Sequence, residues 1–241
     1  MNNYTIITAR TSSKRLPKKI LRKFGKLRTI DIIIKRAKKI GLPIILATSN
    51  LKSDDNLVNY VKKKYNINFF RGSHSNVLQR WQDCFKKFKI NYACMIDADD
   101  LLFDFNLYRS SIRLIKKRYD LITKPNKIIV GLFTHIISSN LILKLKKKYK
   151  NQSIEFIDPL FKKLNVKTRV IQTKLVNKKI RFTLDYYEDY LFFQILFNKF
   201  KATTPSKTIV NFLKKNNELN KINFFREKSW KDNQNKLNTI V

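Results

Sequence analysis

Residues 6–21 read IITARTSSKRLPKKIL, and they join an apolar run to a loop of unusual composition. Within ten positions of this loop lie five basic residues and three hydroxyl side chains, with no acidic residue among them. The segment Tyr4–Ala9 predicts a buried strand, because it is short, rich in β-forming residues and followed by polar ones. The basic loop therefore begins where the first predicted strand ends.

Outward from this stretch, short apolar runs alternate with longer segments of helical period. Further strands are predicted at Ile44–Thr48, Asn68–Phe70 and Tyr92–Ile96. Helices are predicted where apolar residues recur at spacings of three and four, over Ile30–Ile40, Asn56–Tyr65 and Asn76–Phe88. This alternation predicts an α/β fold with a mostly parallel twisted sheet covered by helices on both faces. Ligands of such sheets bind at the carboxyl ends of the strands.

The second half of the chain continues with weaker signals. These predict a strand around Phe133–Ile137, a helix at Ser139–Lys148, a strand at Lys167–Gln172, a strand ending at Leu184 and a helix from about Tyr187. The tail, residues 205–241, is polar but keeps helical spacing of its apolar residues. Since no internal repeat or long linker interrupts the chain, residues 1–241 are predicted to form a single domain.

Composition limits the classes of function. The chain has 52 Lys and Arg against 17 Asp and Glu, a formal net charge of +35. Such a charge attracts nucleic acid, anionic membranes or phosphorylated small molecules, although a generally Lys-rich composition indicates that much of it is solvated surface. Cys84 and Cys94 form neither a metal-ligand spacing nor a disulfide framework, and no signal peptide or membrane-length apolar run is present. We therefore expect a cytoplasmic protein without membrane insertion.

Carboxylates concentrate in two places. Seven of the seventeen fall in DADDLLFD and DYYED, as Asp97, Asp99, Asp100, Asp104, Asp185, Glu188 and Asp189. Both stretches follow predicted strands, so they should meet the basic loop at the ligand edge of the sheet. Clustered carboxylates and a basic loop together suggest a complex of Mg²⁺ with a nucleotide. For Asp104, Glu188 and Asp189, helix capping and the helix dipole are the favoured explanation.

Several stretches, in the same order, resemble one family. ARTSSKRLPKKIL (9–21), ATSNLKSDDNL (47–57), FFRGSHSNVLQRW (69–81), MIDADDLLFD (95–104), RFTLDYYEDY (181–190) and FLKKNNELNKIN (212–223) are similar to the motifs of the sugar-acid cytidylyltransferases. The resemblance is nearest to the branch named after spore coat polysaccharide biosynthesis protein F. The ordered set is far more specific than any one motif.

The resemblance implies a Rossmann-like nucleotidyltransferase that transfers CMP from CTP to a sugar or sugar acid, releases pyrophosphate and serves surface glycan synthesis. It implies that Arg10 and Lys19, with Asp99 and Asp185, are catalytic, and that the two carboxylates bind Mg²⁺. The implied nucleotide-binding residues are Arg10, Ser13, Arg15, Lys19, Ala47, Thr48, Ser49, Arg71 and Arg80. An insertion around residues 100–165 would bind the acceptor and form a homodimer.

Some positions depart from the family pattern. Lys18 stands where the family has Gly, which matters if that position needs a positive φ. Ala98 and Leu101 replace a Gly and a Pro beside Asp99, so a catalytically degenerate nucleotide-binding protein is an alternative. A basic nucleic-acid-binding protein is a further alternative, but no aromatic stacking motif accompanies the basic runs. The acceptor sugar cannot be identified from the sequence.

Overall fold

A computed structural model describes residues 2–150 and 152–238. The strands in this part of the chain are β1 (Asn3–Thr8), β2 (Lys23–Phe24), β3 (Leu27–Arg28), β4 (Ile44–Ser49), β5 (Asn68–Gly72), β6 (Tyr92–Asp97), β7 (Leu121–Thr123), β8 (His135–Ser138) and β9 (Thr168–Val170). The helices are α1 (Thr29–Lys38), α2 (Asp55–Lys64), α3 (Val77–Lys87), α4 (Phe105–Ile112), α5 (Ser139–Lys148), α6 (Asp158–Lys162), α7 (Tyr187–Lys199), α8 (Ser206–Lys215), α9 (Lys221–Phe224) and α10 (Arg226–Asn238).

Seven of these strands form one sheet in the order β5-β4-β1-β6-β8-β7-β9. Strands β5, β4, β1 and β6 run parallel, and Thr8 pairs with Ala47 on one side and Asp97 on the other. Their carboxyl ends therefore meet at one edge. The predicted mostly parallel sheet is confirmed, with one addition: β8 runs antiparallel to both β6 and β7.

Apolar side chains cover both faces of the sheet. Ile6 and Ile7 follow each other in β1 and enter two different buried clusters, as the alternation of a strand requires. Trp81 of α3 is 5% exposed in one of these clusters, so its ring packs in the core. One of these clusters includes residues of α1, α2 and α4 and the other includes residues of α3 and α5, so helices cover the sheet on both faces. A third cluster lies beneath α7 and α8 and includes apolar residues of the tail.

The strand predicted to end at Leu184 does not form. Arg181 makes an isolated bridge to Val130, and the N–H of Phe182 donates to the Val130 carbonyl at 2.9 Å. The N–H of Leu184 instead donates to the carbonyl of Asp99, also at 2.9 Å. The segment is extended but divides its hydrogen bonds between two loops, so no ladder can develop.

Buried Arg36 of α1 joins the sheet to the tail. Its guanidinium donates to the carbonyls of Phe103, Ala202 and Thr204 and to the hydroxyl of Ser206, at 2.7–3.1 Å. The tail then forms α8 to α10, as its helical spacing predicts, while residues 239–241 lie outside the described part. The single-domain boundaries and the insertion at 100–165 stay predictions.

Across residues 2–150 and 152–238, no helix has both the length and the apolarity that a bilayer span requires.

Candidate active site

The ammonium group of Lys19 lies between two carboxylates that are far apart in the sequence. Lys19 Nζ is 2.7 Å from Asp99 Oδ2 and 2.9 Å from Asp185 Oδ1. Asp99 follows β6 and Asp185 precedes α7, so the basic loop after β1 and both acidic stretches converge at the carboxyl edge of the sheet. The structure brings together three of the four residues predicted to be catalytic.

Charge stabilises this arrangement. The side chains of Lys19 and Asp185 are only 16% and 2% exposed. Burial alone would lower the pKa of Lys19, but the two carboxylates raise it above its usual range. Burial would likewise raise the pKa of Asp185, yet Lys19, Arg15 and Arg181 hold it well below its usual range. Lys19 and Asp185 are therefore both charged at neutral pH.

The two oxygens of Asp185 have different partners. Oδ1 accepts from Lys19 and from Arg15 Nη2, which lies 2.6 Å away. Oδ2 accepts from Arg181 Nη2 at 3.1 Å and from the Thr183 hydroxyl at 3.0 Å. One oxygen therefore faces the basic loop, and the other is bound to the protein interior.

Asp54 anchors the start of the basic loop. Its Oδ1 accepts from both the N–H and the hydroxyl of Thr11, at 2.7 Å each. Its Oδ2 accepts from the hydroxyls of Thr48 and Ser49 at the end of β4. Burial would raise the pKa of Asp54, but these hydrogen bonds lower it overall. Asp54 is not among the predicted site residues, although it lies in ATSNLKSDDNL, one of the stretches that resemble the family.

Lys18 adopts the left-handed conformation that its family position suggested. Its φ is 53° and its ψ is 26°, and its carbonyl accepts from the N–H of Leu21 at 2.9 Å. The reversal at Lys18 starts the single helical turn that carries Lys19. A lysine can occupy this region at a cost that a glycine would avoid.

Arg10 lies in a second basic group, apart from Lys19. It forms an ion pair with Glu155 and donates to the carbonyl of His74 at 3.4 Å. Arg80 is 1% exposed, donates to the Ser73 carbonyl at 2.6 Å, and leaves its Nε without a partner. Burial and the nearby Arg10 lower the pKa of Arg80 to about 10. Two guanidinium groups therefore lie near each other next to β5, with Glu155 and Asp54 as the acids that offset their charge.

The other predicted nucleotide-binding residues have structural partners. Arg71 donates to the carbonyls of Ser49 and Leu51 and pairs with Asp55, so it fixes the loop after β4. Thr48 and Ser49 are buried with their hydroxyls on Asp54, and Ala47 is buried within β4. Ser13 Oγ accepts from the Leu16 N–H at 3.4 Å. Their roles in nucleotide binding stay predictions.

The remaining acids divide into two groups. Asp104 caps α4 by accepting from the N–H groups of Asn106 and Leu107. Glu188 and Asp189 lie in the first turn of α7, as the helix-dipole explanation predicts, and Asp189 also accepts from the N–H groups of Asp185 and Tyr186.

In contrast, Asp97 and Asp100 lie beside Asp99 in a region of surplus negative charge. Burial, with the charges of Asp99 and Asp158, raises the pKa of Asp97 to about 7. Burial and neighbouring carboxylates also raise the pKa of Asp100 well above its usual range.

The donor set fits a divalent cation of the magnesium type. Asp99 and Asp185 each direct an oxygen at the ammonium group of Lys19, so the two carboxylates converge on one cationic position. Mg²⁺ binds one or two carboxylates together with phosphate oxygens and water. No cluster of three or more His, Cys, Asp or Glu that could hold a metal occurs in residues 2–150 and 152–238. Such a site would need the nucleotide to complete its ligands.

The chain is similar in sequence to several known proteins. The family model described as Cytidylyltransferase matches residues 4–229. Uncharacterized protein MJ1063 of Methanocaldococcus jannaschii is 29% identical over 239 residues, covering 94% of this chain and 97% of that protein. Spore coat polysaccharide biosynthesis protein SpsF of Bacillus subtilis is 26% identical over 152 residues, which are 59% of this chain and 61% of SpsF.

A solved structure shows the same fold. The cytidylyltransferase from Leptospira borgpetersenii superposes with a TM-score of 0.79 at 22% identity, covering 91% of this chain and 96% of its own. The fold is therefore the Rossmann-like fold of nucleotidyltransferases, as the resemblance implied. Because the family model spans most of the sequence, this chain belongs to the cytidylyltransferase family.

Proposed function

We propose that this protein transfers CMP from CTP to a hydroxyl group of a sugar or sugar acid in the cytoplasm, in a Mg²⁺-dependent reaction that serves surface glycan synthesis. The observation that carries the proposal is the convergence of Lys19, Asp99 and Asp185 at the carboxyl edge of the sheet. The name of the Bacillus relative, a polysaccharide biosynthesis protein, supports the glycan role. The two free thiols, Cys84 and Cys94, fit a reducing compartment.

The reaction needs no protein nucleophile. The acceptor oxygen forms a bond to the α-phosphorus of CTP, the bond from that phosphorus to the bridging oxygen breaks, and pyrophosphate leaves. The acceptor proton passes to solvent. The protein has to position the two substrates and stabilise charge on the phosphates as it moves.

Each part of the site has a role in this scheme. Arg15 and Lys19 donate to the phosphate oxygens, exchanging the carboxylate contacts that they make in the structure for phosphate contacts. Asp99 and Asp185 would hold Mg²⁺, which when bound neutralises phosphate charge and orients the phosphate oxygens. Arg10 and Arg80 offer further positive charge next to β5. The family's acceptor region and a homodimer at residues 100–165 belong to the same proposal.

Titration calorimetry with CTP, UTP, ATP and GTP, with and without Mg²⁺, tests the nucleotide part. We expect CTP to bind more tightly than the other three nucleotides. This binding should require Mg²⁺ and should be lost in Asp99→Asn. The matched control is Asp83→Asn, since Asp83 lies on α3 and contacts only Gln79 through its side chain in the described structure. Equal, metal-independent and salt-sensitive binding of all four nucleotides would overturn the proposal in favour of non-specific phosphate attraction.

Pyrophosphate release with a panel of sugars and sugar acids tests the chemistry. Metal-dependent release with CTP and at least one acceptor supports transfer. A protein that binds CTP with Mg²⁺ but releases no pyrophosphate with any acceptor of the panel would favour the degenerate alternative.

A further inference from the structure

Arg181 connects the candidate metal carboxylate to the last helix of the described chain. Its side chain is fully buried, and each of its three nitrogens reaches a different carboxylate. Nη2 lies 3.1 Å from Asp185, Nε lies 3.2 Å from Asp189, and Nη1 lies 3.2 Å from Glu227. A planar guanidinium with fixed donor directions can hold three acceptors in one arrangement, which a lysine cannot.

The contact with Asp185 falls on the oxygen that faces away from the basic loop. Arg181 and Thr183 together bind Oδ2, while Oδ1 stays directed at Lys19 and Arg15. A carboxylate held by one oxygen cannot rotate freely about its terminal torsion. Arg181 therefore fixes the direction in which Asp185 presents its other oxygen.

Glu227 and its neighbours complete the surroundings of Arg181. Glu227 is in the first turn of α10, and the ring of Trp230 lies 5.2 Å from the guanidinium carbon. Asn223 donates to the Arg181 carbonyl at 3.3 Å and to Asp189 at 2.9 Å. Without Glu227, a buried N–H of Arg181 would lose its acceptor, and the guanidinium would shift to recover one.

We infer that Arg181 is a positioning residue for the metal-binding carboxylate and that Glu227 of α10 sets the orientation of Arg181. Helix α10 then acts on the active site through Arg181, although Glu227 contacts Arg181 and not Asp185 itself. The inference rests on the proposed function, because it takes Asp185 as a ligand of the metal ion. Partners that orient a metal ligand commonly change metal affinity about 10- to 100-fold when removed.

The structure offers a matched pair of substitutions. Glu227→Gln removes the ion pair with Arg181. Glu188→Gln removes a different ion pair between α7 and α10, the contact of Glu188 with Arg226 at 2.6 Å, and leaves Arg181 untouched. Both changes weaken the docking of α10, but only the first reaches Asp185. Arg181→Lys is the third variant. It keeps the positive charge but loses the planar guanidinium with its fixed donor directions.

The affinity of each variant for Mn²⁺ is measured by electron paramagnetic resonance on the whole chain, with and without CTP. We expect the affinity to fall about tenfold in Glu227→Gln and Arg181→Lys, and less than twofold in Glu188→Gln. In turnover assays the Mg²⁺ concentration for half-maximal rate should rise by the same factor while the KM for CTP at saturating Mg²⁺ stays constant. Urea unfolding of each variant verifies that the protein is folded.

The outcomes separate the two proposals. If the wild-type protein binds Mn²⁺ and CTP but Glu227→Gln and Glu188→Gln lose the same affinity, the positioning role is wrong and the proposed function stands. If the wild-type protein binds neither Mn²⁺ nor CTP, both are wrong. If Arg181→Lys does not fold, Glu227→Gln alone decides, because Glu227 lies at the edge of the cluster with 13% of its side chain exposed.

Discussion

The backbone N–H of Leu184 donates a hydrogen bond to the carbonyl oxygen of Asp99 at 2.9 Å. This bond joins the two loops that carry the candidate metal-binding carboxylates, since Asp185 is the next residue after Leu184. A backbone contact of this kind sets the distance between the loops without depending on either carboxylate. Substitutions of the acids should therefore change the chemistry of the site more than its framework.

Replacing either carboxylate should abolish catalysis. We expect Asp99→Asn and Asp185→Asn to lower kcat at least about 10²- to 10³-fold, because each removes a charge that holds the metal–phosphate complex. Pyrophosphate release at saturating CTP and Mg²⁺ is the measurement, with Asp83→Asn as the control that should keep wild-type rates. Normal turnover in both acid variants would exclude them as catalytic residues.

Lys19 should have opposite effects on metal binding and on turnover. Its ammonium occupies the point where Asp99 and Asp185 converge, so it competes with a cation for their oxygens. In Lys19→Gln we expect Mn²⁺ to bind more tightly without nucleotide, while CTP turnover falls about 10²-fold for want of a phosphate donor. Lys35→Gln on the outer face of α1 should change neither quantity. Unchanged Mn²⁺ binding in Lys19→Gln would mean that the ammonium and the metal use different positions.

Asp54 should contribute to stability in a pH-dependent way. Its hydrogen bonds hold its folded-state pKa below the unfolded value, so the unfolded chain binds the proton more readily. The contribution is therefore complete above the usual carboxyl range near pH 4 and is lost as the pH falls below it. At pH 7 we expect Asp54→Asn to lower the free energy of unfolding by roughly 1–3 kcal/mol, because both carboxylate oxygens accept hydrogen bonds and an amide has only one acceptor oxygen.

Urea unfolding at pH 7 and at pH 3 checks this. The difference between wild type and Asp54→Asn should shrink at the lower pH. Asp55→Asn is the neighbouring control: Asp55 pairs with Arg71 near the surface, and its loss should cost less than about 1 kcal/mol. Equal effects of the two substitutions would show that Asp54 does not anchor the loop.

Lys18 should tolerate glycine and reject a β-branched residue. Glycine relieves the cost of the positive φ but adds entropy to the unfolded chain, so we expect Lys18→Gly to change the free energy of unfolding by less than about 1 kcal/mol. Lys18→Val should destabilise the protein by about 1–2 kcal/mol, because a β-branched side chain is poorly accommodated at positive φ. Chemical denaturation distinguishes them, and equal stability of both variants would contradict the left-handed assignment.

The parallel half of the fold was predictable because its signals are local. The four strands predicted to begin at Tyr4, Ile44, Asn68 and Tyr92 form, and their boundaries differ from the predicted ones by at most two residues. Each is a short apolar run between turn residues. The location of the site followed from the same pattern, because polar residues after parallel strands must meet. The prediction of a strand before Asp185 was wrong. Local composition does not show that the backbone hydrogen bonds of this segment go to two separate loops.

Contacts distant in sequence set the limits of the prediction. Strand β7 has three residues, too few for a periodic signal, and its antiparallel neighbour β8 could not be oriented without it. Nothing local shows that Thr48 and Ser49 turn their hydroxyls to Asp54. The contact between Arg181 and Glu227 spans 46 residues, and either residue alone is typical of a solvated surface charge.

The position of Glu227 also bears on how the protein matures. Chains are synthesised from the amino end, and domains can begin to fold during synthesis. The parallel strands that position Lys19 and Asp99 are available early, whereas Arg181 acquires its third acceptor only when α10 has left the ribosome. Completion of the carboxylate's surroundings is then a late step in the synthesis of this part of the chain. A chain that terminates just before α10 would keep the sheet but lack Glu227, the residue that contacts Arg181.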